Sequence, residues 1–280
     1  MSLKHVLEIL AAVDTPKASG RTIRELFAGR GWAGVEVKTV QGEKGSTDFV
    51  KVTVPGRNGK SRGGSAPTLG IVGRLGGLGA RPAMIGFVSD GDGAVAALAA
   101  ALKLVDMFHE GDVLEGDVTV TTHVCPNAPT QPHDPVPFMG SPVDMAVMNA
   151  MEVTPEMDAV LSIDTTKGNR LVNHRGIAIT SPVKQGWILR ISDDLLDTYQ
   201  IVCGHAPVVL PINMQDITPY GNGVHHVNSI LQPAVATKAP VVGIAITTES
   251  MVPGCATGAS HETDIALAVR YVLEVAKSYG

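Results

Sequence analysis

Predicted strands and helices alternate through the last two-thirds of the chain, and this alternation restricts the fold more than any other feature. Short apolar or β-branched runs, typical of buried strands, occur at Thr68–Val72, Val118–Val124, Ala159–Ile163 and Val241–Ile246. The clearest helix between them is Asp90–Phe108, which is rich in Ala and Leu. Strands joined by crossover helices form parallel sheets. We therefore expect an α/β fold with a mostly parallel, mixed central sheet and helices on both faces.

Further segments complete this prediction. Helices are expected at Leu3–Val13, from Ser19 to about Gly29, and at Val143–Met151, Asp193–Val202, Val224–Leu231 and Ser260–Ser278, the last with Ser260 as its N-cap. Strands are expected at Val35–Val40, Phe49–Val54, Met84–Val88, Leu171–Thr180, Gln185–Ile191 and Ala206–Ile212. Apolar residues make up 44 % of the chain, and no repeat or linker divides it. One α/β domain over residues 1–280 is the simplest organisation.

Composition excludes several classes of function. The net charge is −5 and Lys and Arg never form a long run, so a nucleic-acid surface is not expected. No apolar run reaches the roughly 18 to 20 residues of a membrane span, and Met1–Val13 lacks the features of a signal peptide. The three cysteines, Cys125, Cys203 and Cys255, are widely spaced, which argues against a disulfide framework. The cytoplasm is the expected location.

Acidic residues follow two of the predicted strands. Asp90 and Asp92 come directly after Met84–Val88, and Asp164 follows Ala159–Ile163. Ligands of such sheets bind beyond the carboxyl ends of the strands, so these carboxylates could hold a metal or exchange a proton. The alternative is local: Asp90 or Ser89 could cap the following helix, and Asp164 could form a turn.

Histidines and a cysteine supply the other candidates. His123 and Cys125 end the strand Val118–Val124 and could form an imidazole–thiol pair, although a structural histidine and an inert buried thiol are the commoner cases. His226 begins a predicted helix and, like His261, could bind a metal. Glu262 beside His261 could act as a base, or it could simply suit the helix N-terminus electrostatically.

The order of these elements resembles the co-catalytic zinc aminopeptidases. The resemblance is carried by Leu7–Leu10 with Thr15–Gly20, by Ser89–Ala94 before the long helix, and by the strand end Ser162–Thr166. It implies that Asp90 bridges two metals and that Asp164 binds one of them. The ligand types fit zinc or manganese, and the alternative is a chain that holds no metal.

The chain also departs from that family. Gly73–Gly79 stands where the family has its first metal ligand, and it contains neither His nor an acidic residue. Cys125-Pro126 stands near the family's Glu-Glu pair, and the short interval between Gly79 and Ser89 leaves no room for its lid domain. The whole chain is more similar still to the bacterial family of domain of unknown function 1177, which implies a fold rather than an activity.

Three functions follow from these residues. The first is a metal-dependent hydrolase of a peptide, amide or acylated amino acid, in which metal-bound water attacks a polarised carbonyl. The second is a non-catalytic relative of the zinc aminopeptidases that binds a small ligand or a partner after losing metal ligands. The third is a metal-free hydrolase or transferase that uses Cys125 with His123. The resemblance also implies a homo-oligomer that takes a small-molecule or peptide substrate.

Overall fold

A computed structural model describes residues 1–74, 87–132, 138–166, 173–224, 229–251 and 260–280. Its α-helices are α1 (Ser2–Val13), α2 (Gly20–Ala28), α3 (Asp92–His109), α4 (Met145–Glu152), α5 (Asp193–Cys203) and α6 (Glu262–Ser278). Its strands are β1 (Val35–Gly42), β2 (Gly45–Val54), β3 (Thr68–Gly73), β4 (Val118–Val124), β5 (Thr130–Gln131), β6 (Phe138–Met139), β7 (Met157–Thr165), β8 (Gly176–Thr180), β9 (Val183–Lys184), β10 (Trp187–Ile188), β11 (Val209–Leu210) and β12 (Val241–Thr247). The fold is α/β, as predicted.

The central sheet is mixed, and the prediction that it is mostly parallel is wrong. Its main path runs β1-β2-β4-β3-β7-β12-β8-β11. The four strands at its centre, β4, β3, β7 and β12, are parallel to one another. On one flank β1 and β2 are antiparallel to each other and β2 is antiparallel to β4, and on the other flank β8 and β9 run against β12. The difference arises because β1 returns directly into β2 through a tight hairpin, which needs no crossover helix.

The two faces of the sheet bury different partners, since successive side chains of a strand point to opposite faces. Ile71, Val120 and Leu161 belong to the main core, which they form with α1, α3 and α6. Val72 and Val160 point the other way and pack in a second core with residues of the segments 208–217 and 230–234. The short helix α4 contacts β2 on this second side. Helices therefore cover both faces, with the longer ones on the first.

Several helix ends follow from the sequence. The Ser19 hydroxyl accepts a hydrogen bond of 3.2 Å from the amide of Thr22 and caps α2, as predicted. Asp144 caps α4 through a 2.8 Å bond from the amide of Val147. The helix α5 ends at Gly204, which adopts the left-handed conformation that glycine tolerates best.

Other local predictions differ from the structure. The expected strand Gln185–Ile191 contains a turn, because Gln185 and Gly186 both have positive φ angles and join β9 to β10. The strand expected over Ala206–Ile212 is limited to β11. Most of the predicted strand Met84–Val88 and the centre of the predicted helix Val224–Leu231 lie outside the described residues.

Within the described parts of the chain, no helix is both long enough and apolar enough to cross a bilayer.

Candidate functional site

The candidate site lies at the carboxyl edge of the parallel strands, where β3, β4 and β7 end beside the start of α3. The hydroxyl of Thr165, the last residue of β7, donates a 2.8 Å hydrogen bond to the carbonyl oxygen of Ser89. The amide of Arg74, which follows β3, donates a 2.8 Å bond to the carbonyl oxygen of Ile163. These bonds join the 3₁₀ turn Ser89–Gly91 to the strand ends. Ligands of α/β sheets bind at this edge.

Two glycines allow α3 to begin this close to the sheet. A Cβ atom at Gly73 would lie 2.6 Å from the carbonyl oxygen of Gly93 and 2.8 Å from the Cβ of Ala97. A Cβ atom at Gly93 would lie 2.6 Å from the carbonyl oxygen of Ile163 and 2.7 Å from that of Arg74. Because these neighbours are mainly backbone, a side chain at either position would force α3 away from the strands.

A buried ion cluster joins Arg74, His123 and Glu152 on the side of the sheet that carries α4. The Arg74 guanidinium donates through Nη1 to Oε2 of Glu152 at 2.5 Å. The imidazole of His123 donates through Nδ1 to Oε1 of the same carboxylate at 2.6 Å. The side chains of Arg74 and Glu152 are fully buried, and that of His123 is 4 % exposed. Each carboxylate oxygen thus has its own donor, which is what a buried charge requires.

These donors determine the charge of Glu152. Burial alone would raise its pKa, but the positive charge of Arg74, followed by the hydrogen bond and charge of His123, lowers the pKa below its usual value. The Thr121 hydroxyl also donates a 2.7 Å bond to the backbone carbonyl of Glu152, which fixes the end of α4 against β4. Glu152 is therefore ionised and held in place by the protein itself.

Asp164 has weaker partners. Its Oδ2 accepts a 2.8 Å hydrogen bond from the Ser229 hydroxyl, and its Oδ1 accepts a 2.7 Å bond from the amide of Thr165. Burial raises the pKa of Asp164 to about 6, although the Ser229 bond, the charge of Arg74 and the Thr165 bond each oppose the rise. The residue is 1 % exposed. The ionised form of this carboxylate is thus incompletely compensated.

Asp90 lies in the same buried region, in the 3₁₀ turn before α3. Burial, followed by the negative charges of Asp164 and Asp92, raises the pKa of Asp90 well above its usual value. Neither the turn nor α3 has a side-chain cap hydrogen bond among the described residues, so the capping role considered for Asp90 is not observed there. Asp90 and Asp164 together place excess negative charge at this edge.

Asp92 is the first residue of α3 and bonds to the segment before α6. The Ser260 hydroxyl donates a 2.5 Å hydrogen bond to Oδ1 of Asp92. Ser260 is therefore not the N-cap of α6, contrary to the prediction. His261 takes the N-cap position without a side-chain cap bond among the described residues. The serine hydroxyl instead ties the two helix starts together.

The remaining predicted metal ligands are not part of this buried group. His261 and Glu262 are both exposed at the start of α6. Glu262 lines an open cavity of about 440 Å³, whose other described walls are Leu10, Ala11, Asp14, Phe87 and Ser260. His226 lies outside the described residues. Of the four predicted ligands, the structure brings Asp90 and Asp164 together.

The arrangement around Cys125 does not favour a nucleophilic thiol. Burial raises the pKa of Cys125 to about 11, with a further increase from the charge of Asp48. Its Sγ lies 3.5 Å from the carbonyl oxygen of Ser46, to which it donates. His123, the candidate base, is hydrogen-bonded to Glu152. A thiol with so high a pKa carries very little of the thiolate that catalysis needs at neutral pH.

The described residues do not fit the two-metal centre that the aminopeptidase resemblance implies. In the described ranges, no group of three or more His, Cys, Asp or Glu side chains could hold a metal ion. The guanidinium of Arg74 lies at the end of β3, where the resemblance places the first ligand. Its charge acts on both Glu152 and Asp164. A fixed cation at this position repels a divalent ion bound close by.

Comparison with known protein families gives one match. The model of the family described as "Protein of unknown function (DUF1177)" matches residues 38–280. The chain belongs to this family. A search of curated proteins gives no match. The DUF1177 match covers every residue of the buried cluster, from Arg74 through Glu152 to Asp164, whereas α1 and α2 precede it.

Sequence reasoning missed three residues of this site, Arg74, Glu152 and Ser229. Arg74 directly follows an apolar strand in the DUF1177-matched region, and an arginine at that position is a signal that a buried counter-charge must exist elsewhere. Nothing in the sequence identifies Glu152 as that counter-charge, since it stands 78 residues away along the chain. Ser229 has no distinguishing pattern around it.

Proposed function

We propose that this protein binds a small, positively charged ligand at the carboxyl edge of its sheet, as a non-catalytic relative of the zinc aminopeptidases. The observation that carries the proposal is the buried ion cluster of Arg74, Glu152 and His123. It replaces with protein groups the positive charge that the resemblance would assign to metal ions. The DUF1177 family assigns no activity, so the proposal rests on the site itself.

The charge of the ligand follows from the two aspartates. Asp90 and Asp164 are buried with raised pKa values, so ionising both is unfavourable in the free protein. A bound cation would favour their ionised forms and would supply the missing charge-assisted hydrogen bonds. An amine fits this requirement because it donates to two carboxylates at once.

A second polar group supports a ligand that also carries an acceptor. Nε of Arg74 is buried and has no hydrogen-bond partner among the described residues. Buried donors without partners are rare and costly, and a ligand oxygen would satisfy this one. Compounds that combine an amine with a carbonyl or carboxylate, such as amino-acid derivatives, therefore suit both ends of the site. They belong to the small-molecule or peptide class expected from the sequence.

The second candidate is a metal-dependent hydrolase of a peptide, amide or acylated amino acid. The observation that favours it is the juxtaposition of Asp90 and Asp164, because a divalent ion would relieve the same excess charge. It requires further ligands, for which His226, His261 and the base Glu262 are the remaining candidates. Zinc or manganese would then supply Lewis-acid activation of water. The position of Arg74 counts against this candidate.

One set of measurements separates the two candidates. The protein, freed of metals with a chelator, is heated with n-butylamine, with 1-butanol and butyrate as probes of equal chain length, and with zinc or manganese chloride. We expect the amine alone to raise the melting temperature, and Asp164→Asn to abolish this response. The control Asp197→Asn, at an exposed position of α5, should retain it.

The opposite outcome is equally clear. Equal responses to the amine, the alcohol and the acid would overturn the proposed ligand class. Stoichiometric binding of zinc or manganese, together with turnover of aminoacyl p-nitroanilides that Asp90→Ala abolishes, would replace the ligand-binding proposal with the hydrolase.

A further inference from the structure

A surface hairpin far from the candidate site exposes three consecutive apolar residues. β9 and β10 are joined at Gln185 and Gly186, and Trp187, Ile188 and Leu189 follow the turn. Their exposed fractions are 74 %, 38 % and 41 %. A solvent-facing strand normally alternates polar and apolar residues, so a run of three exposed apolar residues is unfavourable unless something covers it.

The hairpin is held firmly enough to present these side chains. Val183 is fully buried and pairs with Val241 at the amino end of β12. The amide of Leu189 donates a 2.8 Å bond to the carbonyl oxygen of Pro182, which closes the base of the hairpin. The exposed residues are therefore ordered by the fold before any partner arrives, which reduces the entropy lost on binding.

An apolar groove opens beside the base of the same hairpin. Its volume is about 220 Å³, and it lies between the amino ends of the central strands and the helices α5 and α6. Its lining includes Leu69, Leu161, Leu195, Val242, Val275 and Tyr279. Small-molecule sites usually measure roughly 300 to 1,000 Å³, so this groove better suits a large side chain than a metabolite.

The hairpin and the groove have complementary charges. Lys184 and Arg190 flank the exposed apolar residues, and both are exposed. The groove has Asp194 in its lining, next to Asp193. Arg190 bonds to Asp193 of its own chain at 3.1 Å, but both side chains are about four-fifths exposed, and such a surface pair is weak enough to exchange partners.

We propose that this face joins two copies of the chain, with the hairpin residues Trp187–Leu189 of each copy seated in the groove of the other. Pro182 is both the base of the hairpin and a wall of the groove, so the two features lie side by side. A two-fold axis next to Pro182 therefore brings both hairpins to both grooves at once, as an isologous dimer requires. Trp and Arg are the residues that most often dominate such interfaces.

The first test measures the association of the full chain by sedimentation as a function of concentration. We expect a dimer that Trp187→Ala weakens at least about tenfold, which is the ordinary effect of truncating an interface tryptophan. Ile201→Ala, at the most exposed isoleucine of α5, is the matched control and should leave association unchanged. A monomer throughout the micromolar range, or a dimer that tolerates Trp187→Ala, would overturn the proposal.

A charge exchange tests the reciprocal geometry. Lys184→Glu makes the hairpin repel an acidic groove, and Asp194→Lys makes the groove repel a basic hairpin, so each variant alone should associate more weakly. Mixed together, they should form a heterodimer, because each hairpin then meets a groove of opposite charge. Failure of the mixture to associate more strongly than either variant contradicts reciprocal seating.

Tryptophan fluorescence supplies a reading that folding defects do not imitate. The chain has two tryptophans, so Trp32→Phe leaves Trp187 as the single reporter. Dimerisation should shift its emission to the blue and reduce its quenching by acrylamide. This interface lies at the edge opposite the aspartates, so Asp164→Asn should dimerise normally, and the two proposals fail independently.

Discussion

Glu152 and Asp164 are both buried carboxylates at the same edge of the sheet, yet burial affects them in opposite ways. Glu152 contacts a guanidinium and an imidazole, and its pKa is lowered. Asp164 receives hydrogen bonds from a hydroxyl and an amide, and burial raises its pKa to about 6. Neutral donors of this kind compensate a buried charge less well than cations do. The first carboxylate is part of the scaffold, and the second is available to a ligand.

Removal of Arg74 should break this comparison with the largest effect. Arg74→Met leaves Glu152 buried without its cation, and we expect a loss of about 3–5 kcal/mol in the free energy of unfolding. Urea denaturation at neutral pH measures it. The matched control is Arg57→Met, since Arg57 forms an ion pair with Glu115 at the surface, where such a pair contributes about 0–1 kcal/mol. Similar losses in both variants would show that the buried cluster has no special weight.

Replacing Asp164 should sharpen the comparison by changing the sign. A folded pKa of about 6, against a usual 3.8, favours the protonated form in the native state. Asp164 therefore contributes stability that is complete below about pH 4 and is lost as the pH rises through about 6, by up to about 3 kcal/mol. Because Asn carries no charge but also loses one hydrogen bond to an acceptor oxygen, Asp164→Asn should be about 1–2 kcal/mol more stable than the natural chain at about pH 8.

The same change from carboxylate to amide at Glu152 provides the control. Glu152→Gln leaves Arg74 without a counter-charge, so it should destabilise the protein at the pH where Asp164→Asn stabilises it. Chemical denaturation of the two variants from about pH 4 to about pH 8 covers the window given by these pKa shifts. A stabilisation by Asp164→Asn that does not change with pH would show that the raised pKa is not its cause.

The smallest effect is expected at the exposed residues of α6. Glu262→Gln removes a charge from the first turn of a helix and should cost no more than about 0.5 kcal/mol. His261→Ala should be similarly mild, since the His261 side chain makes no cap bond among the described residues. Melting temperatures within about two degrees of the natural chain would agree with this expectation. A large loss in either variant would mean that these residues belong to the buried cluster after all.

Local patterns predicted much of the fold. The helices α1, α2, α5 and α6, the strands β2, β4 and β12, and the cap at Ser19 follow from apolar spacing and capping residues. Strand direction did not follow, because alternation cannot distinguish a crossover from a hairpin followed by a return. The turn at Gln185 was missed for a related reason: neighbouring β-branched and aromatic residues suggested a continuous strand, whereas Gly186 marks its interruption.

The site was predictable only in part. Asp90 and Asp164 were found because polar residues after buried strands meet at one edge of a sheet. Arg74 and Glu152 were missed because their importance depends on a contact between distant segments, and no local pattern encodes such a contact. The glycine-rich stretch after β3 was examined for phosphates or metals, and its single arginine proved to be the informative residue.

The contact between Gly73 and Gly93 restricts how this protein can change over generations. Each glycine occupies space that the opposing backbone closes to any side chain. A mutation at one position cannot be accommodated by a mutation at the other, since neither has anything left to remove. Substitution there requires the whole of α3, most of which is buried, to shift. The aspartates and the arginine can be exchanged one by one, but this crossing is an evolutionary dead end, and designs that graft new chemistry onto the fold must leave it untouched.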